Sequence, residues 1–383
     1  MNNEQPYIEE KEKVVISKKR VYNPNYGDSR ICRCGHSYYR HFDTYEEMSP
    51  VGCKYCSCGE FIEAPLNMKR VLICGGSSFI GTHLAKYLKS KGYWVKCAGI
   101  RHNEFIADKD YCDEFQLVDL RDSKGCDYLF NRKQPFDEIY QLAADMGGIG
   151  YISSFGADML RNNVLVNANV LNAAAENKFK GKYFFSSSVY IYPKIKDSTI
   201  VTEEDAYPAM PDNEYGWEKL YSERMVTAFG KKYGFQTRIA RLENIYGENG
   251  AWKGGKEKAP AALCRKVAMA KDGEEIEVWG DGTAIRSFAY VKDIVEGIYD
   301  LVQSDLDTPV NIGSSEYISV NDLVNIIIKI SKKDIKIKHI DGPIGSQSWN
   351  FSKEKIKSTG WDCKYSLVDG MTKTYNWILK QVS

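Results

Sequence analysis

The sequence lacks the features that mark membrane-spanning, secreted or strongly charged proteins. No apolar run approaches the roughly 20 residues needed to cross a bilayer. The first residues, MNNEQPYIEEKEKVV, have no apolar core of the kind found in secretory signals. Neither sign of charge dominates, because 52 Lys and Arg residues are balanced by 51 Asp and Glu residues. We therefore expect a cytoplasmic protein that binds neither nucleic acid nor membranes.

Internal repeats and low-complexity linkers are absent too, and a length of 383 residues predicts two or three folding units. The 11 cysteines are unevenly distributed, since five of them lie between Cys32 and Cys58. In a reducing compartment, a cluster of this kind favours a metal site over disulfide bonds. The uneven distribution predicts a boundary between a small N-terminal module and a larger domain.

The cysteine cluster contains paired soft ligands with short glycine-containing spacers, a pattern typical of tetrahedral zinc sites. A segment this short has too few large apolar residues to fold without a metal. The candidates exceed the four places of one ion, and four of these six are expected to bind structural zinc: Cys32, Cys34, His41, Cys53, Cys56 and Cys58. The first choice is Cys34, His41, Cys53 and Cys56. The alternative is a set of free thiols in a flexible arm.

From Lys69 onward, short apolar runs alternate with segments of helical periodicity. The strand-like runs, in chain order, are RVLIC, YWVKCAGI, FQLVDL, EIYQLAA, KYFFSSSVYIYP and TRIARLENIYG. Strands that alternate with helices imply right-handed crossovers and a parallel sheet. We expect an α/β protein with a Rossmann-type, doubly wound parallel sheet, a smaller C-terminal region and a small N-terminal zinc-ribbon-like module.

The turn CGGSSFIG lies between the first predicted strand and the helix predicted to follow it. The free N–H groups of a helix N-terminus attract a pyrophosphate, and glycines let the backbone approach it closely. The middle glycine of the usual spacing is replaced by a serine. The turn predicts a dinucleotide site, with a tight turn of no further function as the alternative. Its expected contacts are Gly75, Ser78, Phe79, Ile80 and Gly81.

These patterns define the expected domains. Residues 1–30 form a tail or docking arm, and residues 31–66 form the zinc-binding module. Residues 67–250 form the dinucleotide-binding Rossmann domain, and residues 251–383 form mainly the substrate-binding region.

The second strand ends in AGIRH, without the acidic residue that normally binds the adenosine ribose. Arg101 can pair with a 2′-phosphate there, so NADP is slightly favoured over NAD, with a plain surface arginine as the alternative. Asp119 and Leu120, after the third strand, are expected near the adenine. Small residues that follow the fourth strand are expected to line the cofactor pocket: Leu142, Ala143 and Ala144.

Tyr215 and Lys219 have the i, i+4 spacing that places two side chains on one helix face. A nearby ammonium stabilises a phenolate, so Tyr215 is a candidate acid or base, and Lys219 can also hold the nicotinamide ribose. Ser188 ends the preceding serine run and can hydrogen-bond a substrate hydroxyl. An exposed helical pair is the alternative, but the order of glycine turn, serine run and Tyr/Lys pair favours hydride transfer.

The order CGGSSFIG, DL, LAA, SSS and YGWEK resembles the extended short-chain dehydrogenase/reductase family, whose members act on nucleotide sugars. Within it, LAADMGGIGYI, WKGGKEKAPAA, WGDGTAIRSF and PVNIGS are similar to the GDP-mannose 3,5-epimerase family. The resemblance covers about residues 69–380. It implies a homodimeric nucleotide-sugar epimerase that acts on a GDP-hexose by transient oxidation at sugar carbon 4, with bound NAD(P).

The resemblance also implies roles for individual residues. Lys258 matches the lysine of the family's acid/base pair, whereas Tyr190 occupies the position of its cysteine. A phenol has a higher ordinary pKa than a thiol and is less readily ionised, so Tyr190 is expected to donate a proton or to form a wall of the pocket. The enzyme is then expected to invert one carbon instead of two, to act on a related sugar, or to stop at carbon 4. Substrate contacts are expected from these matched positions: Gly148, Asn244, Lys258, Lys266 and Arg286.

Two other functions stay open at this point. One is a nucleotide-sugar 4-epimerase or an NADPH-dependent keto-sugar reductase on the same fold. The other is a non-catalytic dinucleotide-sensing module, although a pure binder has no need of Tyr215, Lys219 and Lys258 together. The resemblance also implies that dehydration is not expected, because related 4,6-dehydratases carry an acidic pair at the positions of Val189 and Tyr190, and that pair is missing.

Overall fold

We describe the protein from a computed structural model. The structure describes residues 30–32, 36–38, 41, 53, 59, 61, 63, 68–130, 135–193, 200–342 and 350–382. The chain divides into two compact units, Met1–Met68 and Lys69–Ser383.

The second unit alternates strands and helices. Its strands are β1 (Arg70–Cys74), β2 (Trp94–Gly99), β3 (Glu114–Leu117), β4 (Glu138–Gln141), β5 (Lys182–Ser188), β6 (Ile200–Val201), β7 (Gln236–Leu242), β8 (Asn244–Tyr246), β9 (Glu275–Trp279), β10 (Ile285–Tyr290), β11 (Val310–Ile312), β12 (Tyr317–Ser319), β13 (Lys336–Ile340) and β14 (Asn350–Phe351). Its helices are α1 (Phe79–Ser90), α2 (Ser123–Asp127), α3 (Ile149–Ser154), α4 (Gly156–Glu176), α5 (Glu214–Tyr233), α6 (Ala259–Met269), α7 (Val291–Gln303), α8 (Val320–Ser331), α9 (Glu354–Lys357) and α10 (Leu367–Val382).

A seven-stranded parallel sheet forms the centre of this unit, in the order β3-β2-β1-β4-β5-β7-β11. The predicted α/β fold with a doubly wound parallel sheet is confirmed, and all six predicted strands lie in this sheet. Strands β2 and β4 are buried along their whole length, as expected for strands covered on both faces. The strand order reverses between β1 and β4, where sheets of this type bind ligands beyond the carboxyl ends of their strands.

The C-terminal part of the chain contributes to two structures. β11 joins the central sheet beside β7, a strand that the sequence pattern did not predict. Three smaller sheets also occur among the described residues, namely β8-β10-β12, β9-β13 and β6-β14. Helices α6, α8 and α10 pack on one another, and their apolar side chains belong to the same hydrophobic core as those of β1 and β2. No helix within the described residues is long and apolar enough to cross a membrane.

The described residues of the first unit include three of the six predicted zinc ligands. Antiparallel bridges join Ile31 to Ser37 and Cys32 to Glu63. Cys32, His41 and Cys53 are buried. The other three predicted ligands lie outside the described residues: Cys34, Cys56 and Cys58. The zinc-ribbon-like module therefore stays a prediction.

Candidate active site

The glycine turn after β1 is packed too tightly for side chains. Gly75 has a φ of +80°, which favours glycine. A Cβ atom on Gly76 would lie 2.4 Å from the Cys97 Sγ atom, and one on Gly81 would lie 2.1 Å from the Gly75 carbonyl oxygen. The turn thus places backbone without side chains at the N-terminus of α1, as a pyrophosphate site requires. These residues fit a bound dinucleotide.

Ser78, which replaces the middle glycine, is the N-cap of α1. Its Oγ atom accepts a hydrogen bond from the Gly81 N–H at 3.3 Å. A capping serine fixes the start of the helix, which holds the turn in position. Phe79 and Ile80 form the first helical residues and are half-buried.

A pocket of about 300 Å³ lies at the carboxyl ends of β2 and β3, where the adenine was predicted. Its lining residues are Ile100, Leu117, Val118, Asp119 and Arg121. The Arg121 Nη2 atom lies 2.7 Å from Asp119 Oδ2, and this hydrogen bond lowers the pKa of Asp119. Leu120 is buried instead of facing the pocket. Arg101, next to Ile100, is exposed and lies 3.9 Å from the Glu104 carboxylate.

The small residues after β4 contact the glycine turn. A Cβ atom on Gly75 would lie 2.8 Å from the Ala143 nitrogen, so the two turns abut. Gln141 holds the second turn, because its Oε1 atom accepts from the Ala143 N–H at 3.3 Å. Leu142 is half-buried and Ala144 is exposed. The structure therefore brings these predicted cofactor contacts together at the point where the strand order reverses.

Tyr215 and Lys219 lie on the first two turns of α5 and are both buried. The Lys219 Nζ atom donates to the Ser186 carbonyl at 3.0 Å, at the end of β5. It lies 5.7 Å from the centre of the Tyr215 ring. The Tyr215 hydroxyl lies 3.9 Å from the Met146 Sδ atom, in the segment that follows β4. The predicted pair thus lies between the ends of β4 and β5.

Burial shifts the pKa values of this pair. Burial raises the pKa of Tyr215, and the Glu218 carboxylate raises it further, whereas a hydrogen bond with Ser188 lowers it. Burial also lowers the pKa of Lys219. In the protein alone, desolvation therefore sets the direction of the pKa of Tyr215, and the role of Tyr215 as acid or base stays a prediction.

Glu218, adjacent to Lys219, is held in a buried polar network. Its carboxylate accepts hydrogen bonds from Asn167 Nδ2 at 2.9 Å, Ser222 Oγ at 2.8 Å and Asn163 Nδ2 at 3.3 Å. Asn163 and Asn167 lie one turn apart on α4. A buried carboxylate with several donors locks its surroundings in place, so this network fixes α5 against α4.

Ser188 and Tyr190 lie at the end of β5, beside Tyr215. The Ser188 Oγ atom accepts from the Tyr190 N–H at 3.3 Å, which starts a short 3₁₀ turn. The rings of Tyr190 and Tyr215 are 5.9 Å apart at an angle of 71°. Burial raises the pKa of Tyr190, and the charge of Arg286 lowers it. The Tyr190 phenol therefore stays protonated at neutral pH, and it lies beside the candidate catalytic tyrosine.

Lys258 occupies the N-cap position of α6. Among the described residues, no hydrogen bond or ion pair involves its amine. Burial alone lowers the pKa of Lys258 to about 8, although its surface is partly accessible. An amine with this pKa can both take up and release a proton near neutral pH.

Gly148 lies against the segment that leads to Lys258. Its N–H donates to the Lys256 carbonyl at 3.2 Å. A Cβ atom on Gly148 would lie 2.8 Å from the Glu257 carbonyl oxygen. The segment after β4 therefore contacts Tyr215 through Met146 and the Lys258 segment through Gly148.

The remaining predicted substrate residues, Asn244, Lys266 and Arg286, contact strands of the smaller sheets or Tyr190. Asn244 begins β8 and donates to the Ser287 carbonyl at 3.2 Å, on the neighbouring strand β10. Arg286 precedes Ser287 on β10 and interacts with Tyr190. Lys266 lies two turns beyond the start of α6 and donates to the Glu277 carbonyl at 2.6 Å.

Three charged residues at the site were not predicted: Arg121, Asp145 and Glu218. Arg121 and Asp145 follow closely after β3 and β4, and polar residues just beyond the carboxyl ends of parallel strands are candidates for a ligand site. Their position after these strands was therefore the signal by which the sequence could have identified Arg121 and Asp145. The role of Glu218 depends on α4, so the local sequence carried no comparable signal.

Comparisons with known proteins agree with this geometry. A model of the NAD dependent epimerase/dehydratase family matches residues 71–313. GDP-mannose 3,5-epimerase 1 from Oryza sativa subsp. indica is 40% identical over 322 residues, which cover 83% of this chain and 84% of the rice protein. GDP-mannose 3,5-epimerase from Arabidopsis thaliana is 40% identical over 323 residues, with coverage of 83% and 84%.

Solved structures show the same fold. UDP-glucose 4-epimerase from Thermotoga maritima superposes with a TM-score of 0.73 at 22% identity, covering 82% of this chain and 100% of that structure. The predicted enzymatic function as an NAD(P)-dependent epimerase is confirmed at the level of the family. The chain belongs to the NAD dependent epimerase/dehydratase family.

Proposed function

We propose that the protein epimerises a nucleoside-diphosphate hexose, with a GDP-hexose as the expected substrate. The observation that carries the proposal is the segment after β4, which contacts both Tyr215 and the loop that leads to Lys258. Epimerisation through a ketone needs two functions. One group takes the proton of a sugar hydroxyl, and a base removes a proton from a neighbouring carbon. The similarity to GDP-mannose 3,5-epimerases supports the choice of sugar nucleotide.

The oxidised nicotinamide, when bound, supplies the hydride acceptor and a positive charge that favours the Tyr215 phenolate. Tyr215 takes the proton of the hydroxyl on sugar carbon 4 and later returns it. Lys219 orients the nicotinamide ribose, and Ser188 hydrogen-bonds the reacting hydroxyl. Each of these groups is buried, so water does not compete for the proton.

Lys258 and Tyr190 exchange protons with a carbon next to the transient ketone. The neutral amine of Lys258 removes a proton, since its pKa of about 8 leaves a useful neutral fraction at physiological pH. Tyr190, whose pKa burial raises, returns a proton from its hydroxyl. One acid and one base suffice for a single inversion, so inversion of one carbon is part of the proposal.

The diphosphate is bound by basic side chains, with Lys266 and Arg286 as its ligands. Asn244 and the backbone at Gly148 contact the sugar. Burial lowers the pKa of both Lys266 and Arg286, as expected for cations partly withdrawn from water.

Replacing Tyr215 by Phe tests the function. The ring packing is kept and the hydroxyl is lost, so we expect at least a hundredfold loss of turnover with nucleotide-sugar affinity nearly unchanged. The measurement is deuterium incorporation from solvent into GDP-, UDP-, CDP- and dTDP-hexoses. Tyr128→Phe, at the exposed C-terminal end of α2, is the control. Substantial remaining turnover in Tyr215→Phe, or stoichiometric consumption of NADPH by the wild type, would reject the proposal.

The proposal includes a preference for NADP over NAD. The end of β2 carries no carboxylate over Gly99–His102, and Arg101 is exposed beside it. We expect Arg101→Ala to weaken NADP binding about tenfold and NAD binding by less than twofold, measured by titration calorimetry. Lys109→Ala, beyond this strand end, is the control. Equal losses for both cofactors would show that Arg101 does not contact the 2′-phosphate.

A structural zinc ion in the first unit is also part of the proposal. Cys32, His41 and Cys53 are buried. A β-bridge pairs Cys32 with Glu63, which follows the second group of cysteines in the sequence. Within the described residues, no group of three His, Cys, Asp or Glu residues could hold a metal ion, so the set depends on Cys34, Cys56 or Cys58 for completion.

Metal analysis of the purified full chain tests this assignment. We expect one zinc per chain, which Cys53→Ser removes and which Cys363→Ser, in the second unit, retains. A chain purified without zinc and still folded over its first unit would contradict it. The six cysteines of residues 69–383 form no disulfide bonds, in keeping with the expected cytoplasmic location.

A homodimer is the proposed assembly. Exposed apolar side chains lie along α4 and α5, which pack on each other: Phe155, Leu165, Trp217 and Tyr221. Such a patch favours a protein interface. Sedimentation velocity should give one species near twice the chain mass of 43.6 kDa, and Trp217→Glu should yield monomers. A monomeric wild type would contradict this assembly.

A further inference from the structure

A contact outside the proposed acid/base groups joins the two segments of the site. The Lys256 Nζ atom lies 3.0 Å from Asp145 Oδ1 and 4.1 Å from the centre of the Tyr151 ring. The Tyr151 hydroxyl donates to the same Asp145 oxygen at 2.8 Å. One cation therefore binds a carboxylate and an aromatic face together. The mechanism proposed above assigns no role to these three residues.

The segment that carries Lys256 and Lys258 needs such a contact. Gly254 and Gly255 precede Lys256 with φ values of +90° and +86°, and a Cβ atom on either would meet nothing within 4 Å. Two unpacked glycines leave the backbone free to rotate. Beyond them, the Lys256 carbonyl accepts from the Gly148 N–H, and the Glu257 carboxylate lies 3.0 Å from Arg265. Contacts after the glycines therefore decide where Lys258 lies.

The other side of the contact is fixed to the core. The Asp145 N–H donates to Asn163 Oδ1 at 2.6 Å, and Asn163 Nδ2 donates back to the Asp145 carbonyl at 3.1 Å. Asn163 is only 1% exposed and also bonds Glu218, on the helix of Tyr215. A continuous polar chain thus runs from the helix of Tyr215 to Asp145 and Lys256.

We propose that Lys256 is a positioning residue that ties the glycine-containing segment to Asp145 and Tyr151, and so holds the Lys258 amine, desolvated, beside the sugar site. The proposal rests on the proposed function for its catalytic consequence. The positioning itself is a property of the protein without substrate. The two parts are therefore tested by separate measurements.

The first measurement is competitive acetylation of Lys258 by acetic anhydride between pH 6 and pH 11, followed by mass spectrometry of the full chain. Burial gives wild-type Lys258 a labelling midpoint near its pKa of about 8. In Lys256→Met, water reaches the amine, its pKa returns toward the ordinary value, and the midpoint rises by about one pH unit or more. Asp145→Asn should give a similar rise, and Lys256→Arg should restore the wild-type midpoint.

Lys253→Met is the matched control, because Lys253 is exposed on the same segment and contacts only the Trp252 ring, at 4.7 Å, among the described residues. Its midpoint should equal that of the wild type. A midpoint in Lys256→Met that also equals the wild-type value would overturn the proposal. So would an equal rise in the Lys253→Met control.

The second measurement compares two partial reactions of the holoenzyme with a GDP-hexose. In Lys256→Met, deuterium incorporation from solvent should fall at least tenfold through kcat with KM nearly unchanged, while reduction of the bound nicotinamide changes less than twofold. Equal losses of both reactions would contradict a role limited to Lys258. If the wild type incorporates no deuterium with any hexose, the proposed function fails, and the acetylation result still decides the positioning.

Discussion

Parallel pairing of the central strands is the constraint on which the site depends. Cys74 of β1 pairs with Gln141 of β4, and Ser188 of β5 pairs with Leu242 of β7, so the carboxyl ends of four strands lie along one edge. The glycine turn, the small residues after β4, the end of the serine run and the start of β8 all follow directly from these ends. Residues far apart in the chain therefore meet at one edge, and the reversal of strand order between β1 and β4 leaves room there for a ligand.

Desolvation then sets the protonation states at this edge, and it acts in opposite directions on phenols and amines. It raises the pKa of Tyr215 and Tyr190 and lowers the pKa of Lys219 and Lys258. Burial disfavours the charged form of each group, so the phenols stay protonated while the amines more readily become neutral. Burial therefore favours proton donation by the phenols and proton uptake by the amines, and a cationic cofactor ring bound beside Tyr215 would lower the pKa of that phenol.

The sequence predicted the parts of the molecule that local patterns encode. Six apolar runs became strands, the glycine turn became a helix start, and the four-residue spacing placed Tyr215 and Lys219 on one buried face. Short strands with no distinct pattern, such as β11, were missed, since only pairing with β7 makes them strands. The Asp145 contact with Lys256 and the network around Glu218 join residues remote in the chain, so single-sequence reasoning had no signal for either. The burial of Tyr215 and its effect on the pKa of the phenol are tertiary properties, so the four-residue spacing carried no signal for them.

The central claim is that a buried phenol and a desolvated amine act on the same sugar from two segments joined beside β4. A crystal structure of the full chain with oxidised nicotinamide cofactor and a GDP-hexose tests it most directly. The account predicts that the Tyr215 hydroxyl lies within hydrogen-bond distance of the oxygen on sugar carbon 4, and that the Lys258 amine faces a neighbouring carbon of the same ring. A sugar bound with Lys258 directed away from its ring, or with Tyr215 directed away from the nicotinamide, would contradict the account.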